Sequence, residues 1–178
     1  MLKLQVEETS LWNEKEETFL EIPRTNLQLE HSLVSLSKWE AKYHKPFLST
    51  ERTVEETLEY IKCMIMNNNV DPNVVYALSN ENILEIKEYI KNPMTATWFV
   101  NTKKEEGKEI ITSEVIYYWM INLQIPFECQ KWHLNRLLTL IRVCNEKNAP
   151  KKNMSQKEIA ERNRILNEQR KAKYGSRG

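Results

Sequence analysis

The sequence predicts a mainly α protein, a compact helical body with a small N-terminal β-hairpin and a protruding C-terminal helix. Three observations carry this reading. Large apolar residues recur at helical spacing from Thr53 to Asn145 behind Ser and Thr caps, and the one run of period-2 alternation lies near the start. Only three glycines, Gly107, Gly175 and Gly178, occur in 178 residues. So few glycines disfavour a many-stranded barrel or sandwich, which needs turn residues about every 8–12 positions. The chain also lacks the glycine-rich loops that bring backbone amides to a phosphate, which excludes P-loop and dinucleotide-binding folds.

Residues 1–36 form an acidic N-terminal segment. Acidic residues dominate between Glu7 and Glu21, and Phe19, Leu20 and Ile22 stop at Pro23-Arg24-Thr25-Asn26, which reads as a turn. Leu27, Leu29, His31 and Leu33 then alternate with mostly polar residues, so a hairpin packed on the body is expected.

Residues 37–148 make the helical body. A short helix capped by Ser37 places Trp39 and Tyr43 about one turn apart and ends at Pro46. Thr53-Val-Glu-Glu56 is a capping box, and Val54, Leu58, Ile61 and Ile65 share one face of the helix it opens, which Asn67-Asn68-Asn69 ends. Ser79 caps the next helix, which runs to about Lys91, buries Ile83, Ile86 and Ile90, and is closed by Pro93. Thr95-Ala-Thr-Trp-Phe-Val100 reads as extended and Lys103–Lys108 as an exposed loop. Residues 113–123 are apolar nearly all round with a carboxylate in the first turn, which places that helix at the centre of the core. Beyond Pro126, a helix from Glu128 to about Asn145 carries Trp132, Leu134, Leu137, Leu138 and Ile141 and packs against it.

The composition changes after Asn148. Ala149–Asn153 is a linker, and Ser155-Gln-Lys-Glu158 is a capping box opening a helix to about Lys173. From Asn145 to Gly178 there are 10 basic and 4 acidic residues, so the overall charge of +1 divides into +6 here and −5 in the rest. Ile159, Ile165 and Leu166 are too few apolar residues to bury this helix, so residues 149–178 read as a basic arm. Such an arm is either solubilising surface or a contact for nucleic acid or an acidic protein. The candidate partner-binding residues are Lys151, Lys152, Arg162, Arg164, Arg170, Lys171 and Lys173. The four acidic residues between Asn145 and Gly178 weigh against nucleic acid.

No catalytic or cofactor site is expected. Cys63, Cys129 and Cys144 are odd in number and set in apolar surroundings, which suits reduced, buried thiols in a cytoplasmic protein. No signal peptide and no apolar run of membrane-spanning length is visible, so no membrane partner is expected. Cys129 and His133, at i and i+4, could face one metal, but a structural zinc needs four ligands and no Cys-x-x-Cys pair supplies the others, so core packing is the favoured reading. His31 and His44 lack a Cys or Asp partner at catalytic spacing. Glu16/Glu17 and Glu55/Glu56 lie in charged segments and read as solvated faces. Trp12, Trp39, Trp98, Trp119 and Trp132 fit helix cores or partner surfaces.

Three stretches carry a resemblance: Leu29-Glu-His-Ser-Leu-Val-Ser-Leu-Ser-Lys-Trp-Glu40 on to Lys45-Pro-Phe-Leu48, Ile111-Thr-Ser-Glu-Val-Ile-Tyr-Tyr-Trp119 through Trp132-His-Leu-Asn-Arg-Leu-Leu-Thr-Leu-Ile141, and Glu161-Arg-Asn-Arg-Ile-Leu-Asn-Glu-Gln-Arg-Lys-Ala-Lys173. Together, over about residues 25–175, the chain resembles tail assembly chaperones encoded among the virion-morphogenesis genes of long-tailed bacteriophages. The resemblance implies a non-enzymatic assembly factor in the host cell cytoplasm. Such a factor holds the tape-measure protein or tail-tube subunits before they polymerise, and is either left behind or carried in the virion. Two alternatives stay open: a minor structural protein of the head, neck or tail, and a nucleic-acid-binding accessory acting through the basic arm.

Overall fold

The structure is a computed structural model that describes residues 1–13, 17–97, 99, 110–149, 160, 161, 163–165, 167 and 168. The chain divides into a unit of Met1–Glu146 and a unit of Lys147–Gly178.

The first unit begins with a two-stranded antiparallel ribbon. Strand β1, Leu2–Val6, pairs with β4, Thr25–Leu29, and β2, Thr9–Asn13, pairs with β3, Thr18–Ile22. Both halves keep one register, Leu2 opposite Leu29 and Asn13 opposite Thr18, so the chain reverses between Asn13 and Thr18. The turn expected at Pro23–Asn26 is therefore an interruption within the ribbon, because Pro23 has no N–H to give the ladder. The core-facing side also changes at this break. Leu4, Val6, Leu27 and Leu29 are buried in the first half, whereas in the second it is Ile22, which faces Thr9 across the ladder, that is buried. Leu27 and Leu29 take the strand positions expected of them, while His31 and Leu33 have already left the strand.

The outer edge of β4 is closed. Met66 N–H donates to the Gln28 carbonyl (2.8 Å) and Glu30 N–H to the Met64 carbonyl (2.9 Å). Next to them, towards the start of β4, the Asn67 side chain substitutes for a peptide group, its Oδ1 accepting from Gln28 N–H (2.7 Å) and its Nδ2 donating to the Asn26 carbonyl (3.2 Å). An exposed strand edge is thereby paired without a third strand.

Helix α1 spans Leu33–Tyr43 and is capped by Ser32, not Ser37. Ser32 and Ser35 form a reciprocal capping box, and the helix ends where His44 turns left-handed at φ 54°, ahead of Pro46. Helix α2, Val54–Met64, has the expected Thr53/Glu56 box. Its buried residues are Glu56, Tyr60, Ile61 and Met64, and Val54 is exposed. Val54 shares the angle of Ile61 on the helix but lies in the first turn, beyond the core. After a 3₁₀ turn at Pro72–Ala77, helix α3 runs Asn80–Lys91 from the Ser79 cap as expected, with Ile86 and Tyr89 buried and Ile83 and Ile90 half-buried. Asn135 Nδ2 ties off its end, donating to the carbonyls of Ile90 (3.0 Å) and Asn92 (2.9 Å). No strand forms at Thr95–Thr97 or Phe99, and Trp98, Val100 and the expected loop at Lys103–Lys108 lie outside the described residues.

Two expectations for the later helices are corrected. Helix α4, Ser113–Asn122, is not central: only Ser113, Ile116 and Met120 are buried, while Tyr118 and Ile121 are exposed. It packs on α1, which also touches α2, so α1 holds the position expected of α4. The helix expected from Glu128 is a 3₁₀ turn, Phe127–Lys131, and a separate helix α5, Leu134–Asn148, with Leu134, Leu137 and Ile141 buried. No helix among the described residues is long and apolar enough to cross a membrane.

One carboxylate fixes α4. Thr112 gives that helix no side-chain cap. Instead Glu40, on α1 and buried, accepts Ser113 N–H at Oε2 (2.7 Å) and Phe47 N–H at Oε1 (2.8 Å). An anion at a helix N-terminus also meets the favourable end of the dipole.

In the second unit the described residues from Ala160 to Glu168 are helical, and the expected capping box at Ser155–Glu158 lies outside them. Arg164 lies between Glu161 (3.9 Å) and Glu168 (3.4 Å), both on the surface.

Removing the Glu40 carboxylate strands two backbone donors. Glu40→Ala is expected to cost about 3 kcal/mol in urea denaturation and Glu40→Gln, which keeps one acceptor, less. Equal, negligible losses would show that water replaces the carboxylate.

Candidate functional site

The densest group of buried polar side chains lies where β4 runs into α1. Glu30, His31, Ser32 and Ser35 come from this junction, Tyr60 from α2, Tyr89 from α3, and His133 from the residue before α5. Backbone pairing brings them together. Glu30 N–H reaches Met64 at the end of α2, Leu134 N–H donates to the His31 carbonyl (2.7 Å), and Ser32 bridges to His133.

The side chains form two chains of hydrogen bonds. His31 Nδ1 lies 2.5 Å from the Tyr60 hydroxyl, which in turn is 3.4 Å from Ser35 Oγ. Ser35 Oγ also accepts Ser32 N–H (2.9 Å) and faces the carbonyls of Ser32 (2.8 Å) and Glu30 (3.2 Å). In the second chain, Tyr89 donates to Glu30 Oε1 (2.6 Å), and Glu30 Oε2 lies 2.8 Å from the Met1 amino nitrogen. His133 Nε2 lies 3.0 Å from the Tyr89 carbonyl, and the two imidazoles meet edge to face at 5.1 Å.

These distances fix the protons. A carbonyl only accepts, so His133 carries its hydrogen on Nε2, which leaves Nδ1 as a bare lone pair. Among the described residues, that Nδ1 is the buried side-chain atom without a hydrogen-bond partner. Burial drives the Tyr60 phenol well above its usual range, so it stays protonated and donates to His31 Nδ1. The same burial, with smaller contributions from His133 and Arg52, lowers His31 to about 3. His133 is lowered too, chiefly by burial. Both rings are neutral at neutral pH.

Serine, histidine and tyrosine together invite comparison with a nucleophile and its base. The geometry gives them a different task. Ser35 Oγ sits among backbone groups of its own turn, Tyr60 stands between it and the imidazole, and Ser35, His31 and Tyr60 are each no more than 3% exposed. A nucleophile needs a base within hydrogen-bond reach and a path for substrate. This network instead pins the β4–α1 junction to α2, α3 and α5.

A cleft of about 260 Å³ opens beside it between Glu30, Tyr89, Trp132, His133 and Arg136. The Arg136 guanidinium lies over the Trp132 ring at 4.3 Å, and both Glu30 oxygens are engaged. Cys129 lies in the 3₁₀ turn and His133 just before α5, so they do not share one helix face. Among the described residues no three His, Cys, Asp or Glu side chains converge on a point that could hold a metal.

Of the arm residues singled out from the sequence, Arg164 is described and paired with glutamates. Lys151, Lys152, Arg162, Arg170, Lys171 and Lys173 lie outside the described residues. Sequence reasoning missed the buried network itself. His31 and His133 stand 102 positions apart, and no local pattern joins them.

The network predicts a pH dependence. The unfolded chain protonates His31 near 6.5 and the folded chain only near 3, so the unfolded state binds more protons throughout that window. The contribution is complete above pH 6.5 and is lost as pH falls. Between pH 6.5 and about 5, above the ordinary glutamate value, unfolding free energy should drop by about 1.5–2 kcal/mol, read from urea curves at stepped pH. His31→Gln should flatten most of that slope; a wild-type curve already flat there would refute the assignment.

No protein-family model, curated protein or solved structure matches the chain.

Proposed function

We propose that the protein is a non-enzymatic assembly factor of a long-tailed bacteriophage, a tail assembly chaperone that holds tape-measure or tail-tube protein before polymerisation. The observation that carries this reading is the resemblance of the three sequence blocks at residues 29–48, 111–141 and 161–173. The first two coincide with the interior of the fold. Leu29, Leu33, Leu36 and Trp39 from one, and Ile116, Met120, Leu134 and Leu137 from the other, are buried. The likeness therefore lies in residues that set a fold.

A binding role is supported by the surface of α4 and the turn after it. Tyr118, Ile121 and Phe127 are each more than half exposed, and Glu114 is the one charged residue of the helix. Apolar side chains displayed at helical spacing suit a helical partner.

Co-expression with the tape-measure protein of the same phage should yield a soluble complex that co-purifies. Tyr118→Lys/Ile121→Lys should weaken it about tenfold or more. If the two proteins never co-purify and the tape measure is equally soluble alone, the chaperone reading fails.

The +6 charge of residues 145–178 favours a second reading, nucleic-acid binding. Counterion release would make such binding fall steeply with salt. In a filter-binding titration against duplex DNA, Lys151→Glu/Lys152→Glu/Lys171→Glu should then lose affinity and show a shallower salt slope. Negligible binding by parent and variant alike would remove this reading.

A further inference from the structure

Among the described residues, the outer face of the second half of the ribbon is largely exposed. Strand alternation puts Ser10 and Trp12 of β2 with Phe19 and Glu21 of β3 on this face, opposite the side that carries Leu11, Leu20 and Ile22. Trp12 and Phe19 are direct cross-strand partners, packed edge to face at 5.0 Å, yet they remain 53% and 64% exposed. The pair supports the ribbon, since aromatic cross-strand contacts stabilise a two-stranded sheet. More than half of each ring is left over.

Carboxylates frame the rings. Glu21, two positions from Phe19 on the same face, holds the Ser10 hydroxyl at 2.7 Å, and Glu8 and Glu17 are exposed at either end. From Glu7 to Glu21 the chain carries six acidic residues against one lysine. An aromatic surface ringed by carboxylates is chemically matched to ammonium and guanidinium groups on aliphatic stems. The stem packs on the rings, the cation meets their π faces, and the carboxylates supply the countercharge.

We propose that this face, centred on Trp12 and Phe19 and bordered by Glu8 and Glu21, docks a lysine- and arginine-rich polypeptide segment of a partner protein. Charge complementarity selects that occupant. An apolar helix would leave the carboxylates beside unpaired apolar surface, and a second copy docking through the same face would set one acidic ribbon against another. The face is on a different element from the exposed residues of α4, and its role does not depend on the assembly reading.

The test uses the full chain, labelled with ¹⁵N, titrated with oligolysine, oligoarginine and oligoglutamate peptides of about ten residues. The indole N–H resonance of Trp12 is identified by its loss in Trp12→Phe. The cationic peptides should shift it saturably while leaving the buried Trp39 indole in place, oligoglutamate should not, and added salt should weaken the effect. Trp12→Ala/Phe19→Ala and, separately, Glu8→Gln/Glu21→Gln should each raise the Kd for oligoarginine about tenfold. The glutamine variant keeps the shape of the ribbon, and an unchanged Trp39 resonance reports an intact fold in both. No Trp12 shift with either cationic peptide, or variants that bind as the parent does, would overturn the proposal. So would a Trp12 shift produced by concentrating the protein alone, which would assign the face to a second copy.

Discussion

The fold depends on how the backbone at Glu30–Ser35 is satisfied. Here the chain passes from strand to helix, and neither ladder supplies its hydrogen bonds. A buried peptide group left unpaired costs as much as a lost hydrogen bond, so each must find a partner elsewhere. Glu30 N–H takes the last turn of α2, the His31 carbonyl takes the first N–H of α5, and Ser32 and Ser35 close the N-terminus of α1 on themselves. Three helices are thereby located relative to the ribbon by main-chain bonds. The side chains add what these bonds require: Tyr60 and Tyr89 bring hydroxyls to His31 and Glu30, and burial keeps the imidazoles neutral.

Neutrality is what makes this interior possible. Two imidazoles 5.1 Å apart could not both be charged in a dry site without repulsion on top of lost hydration. The bare Nδ1 of His133 shows the limit of the arrangement. Once Nε2–H is committed to Tyr89, the other nitrogen can only accept, and among the described residues no donor meets it. Glu40 solves a similar problem with a charge, because each of its oxygens meets a backbone N–H, one of them at a helix start. Buried polar groups here serve the chain's own backbone.

Features written in a few adjacent residues were legible in the sequence. The Thr53-x-x-Glu56 box and the Ser79 cap each satisfy orphan helix amides through one local side chain, and both helices begin where those residues put them. Ser32-Leu-Val-Ser35 does the same work with a second serine in place of glutamate, and the alternation of Leu29, His31 and Leu33 ran straight across it, so the start of α1 was displaced to Ser37. Which helix is central was not legible. The sequence of α4 is more apolar than that of α1, yet α1 is central because it leaves the β4 junction and carries the Glu40 carboxylate that caps α4. Apolar composition measures what could be buried, whereas connectivity decides what is. The His31–His133 meeting is a long-range contact of the same kind.

The distribution of charge follows a different logic from the core. A formal charge of +1 suggests a protein without strong electrostatic preferences. It is the sum of a strongly acidic stretch in the distal ribbon and a strongly basic one after Asn145, each confined to a short length of chain. Screening at physiological ionic strength acts over about 8 Å, so a partner at the ribbon feels chiefly the carboxylates beside it. The field that steers association is local, and cancellation in the total does not weaken it. The exposed aromatic pair belongs to this acidic stretch of sequence, so the ribbon joins two kinds of attraction: short-range contact with rings and longer-range attraction for cations.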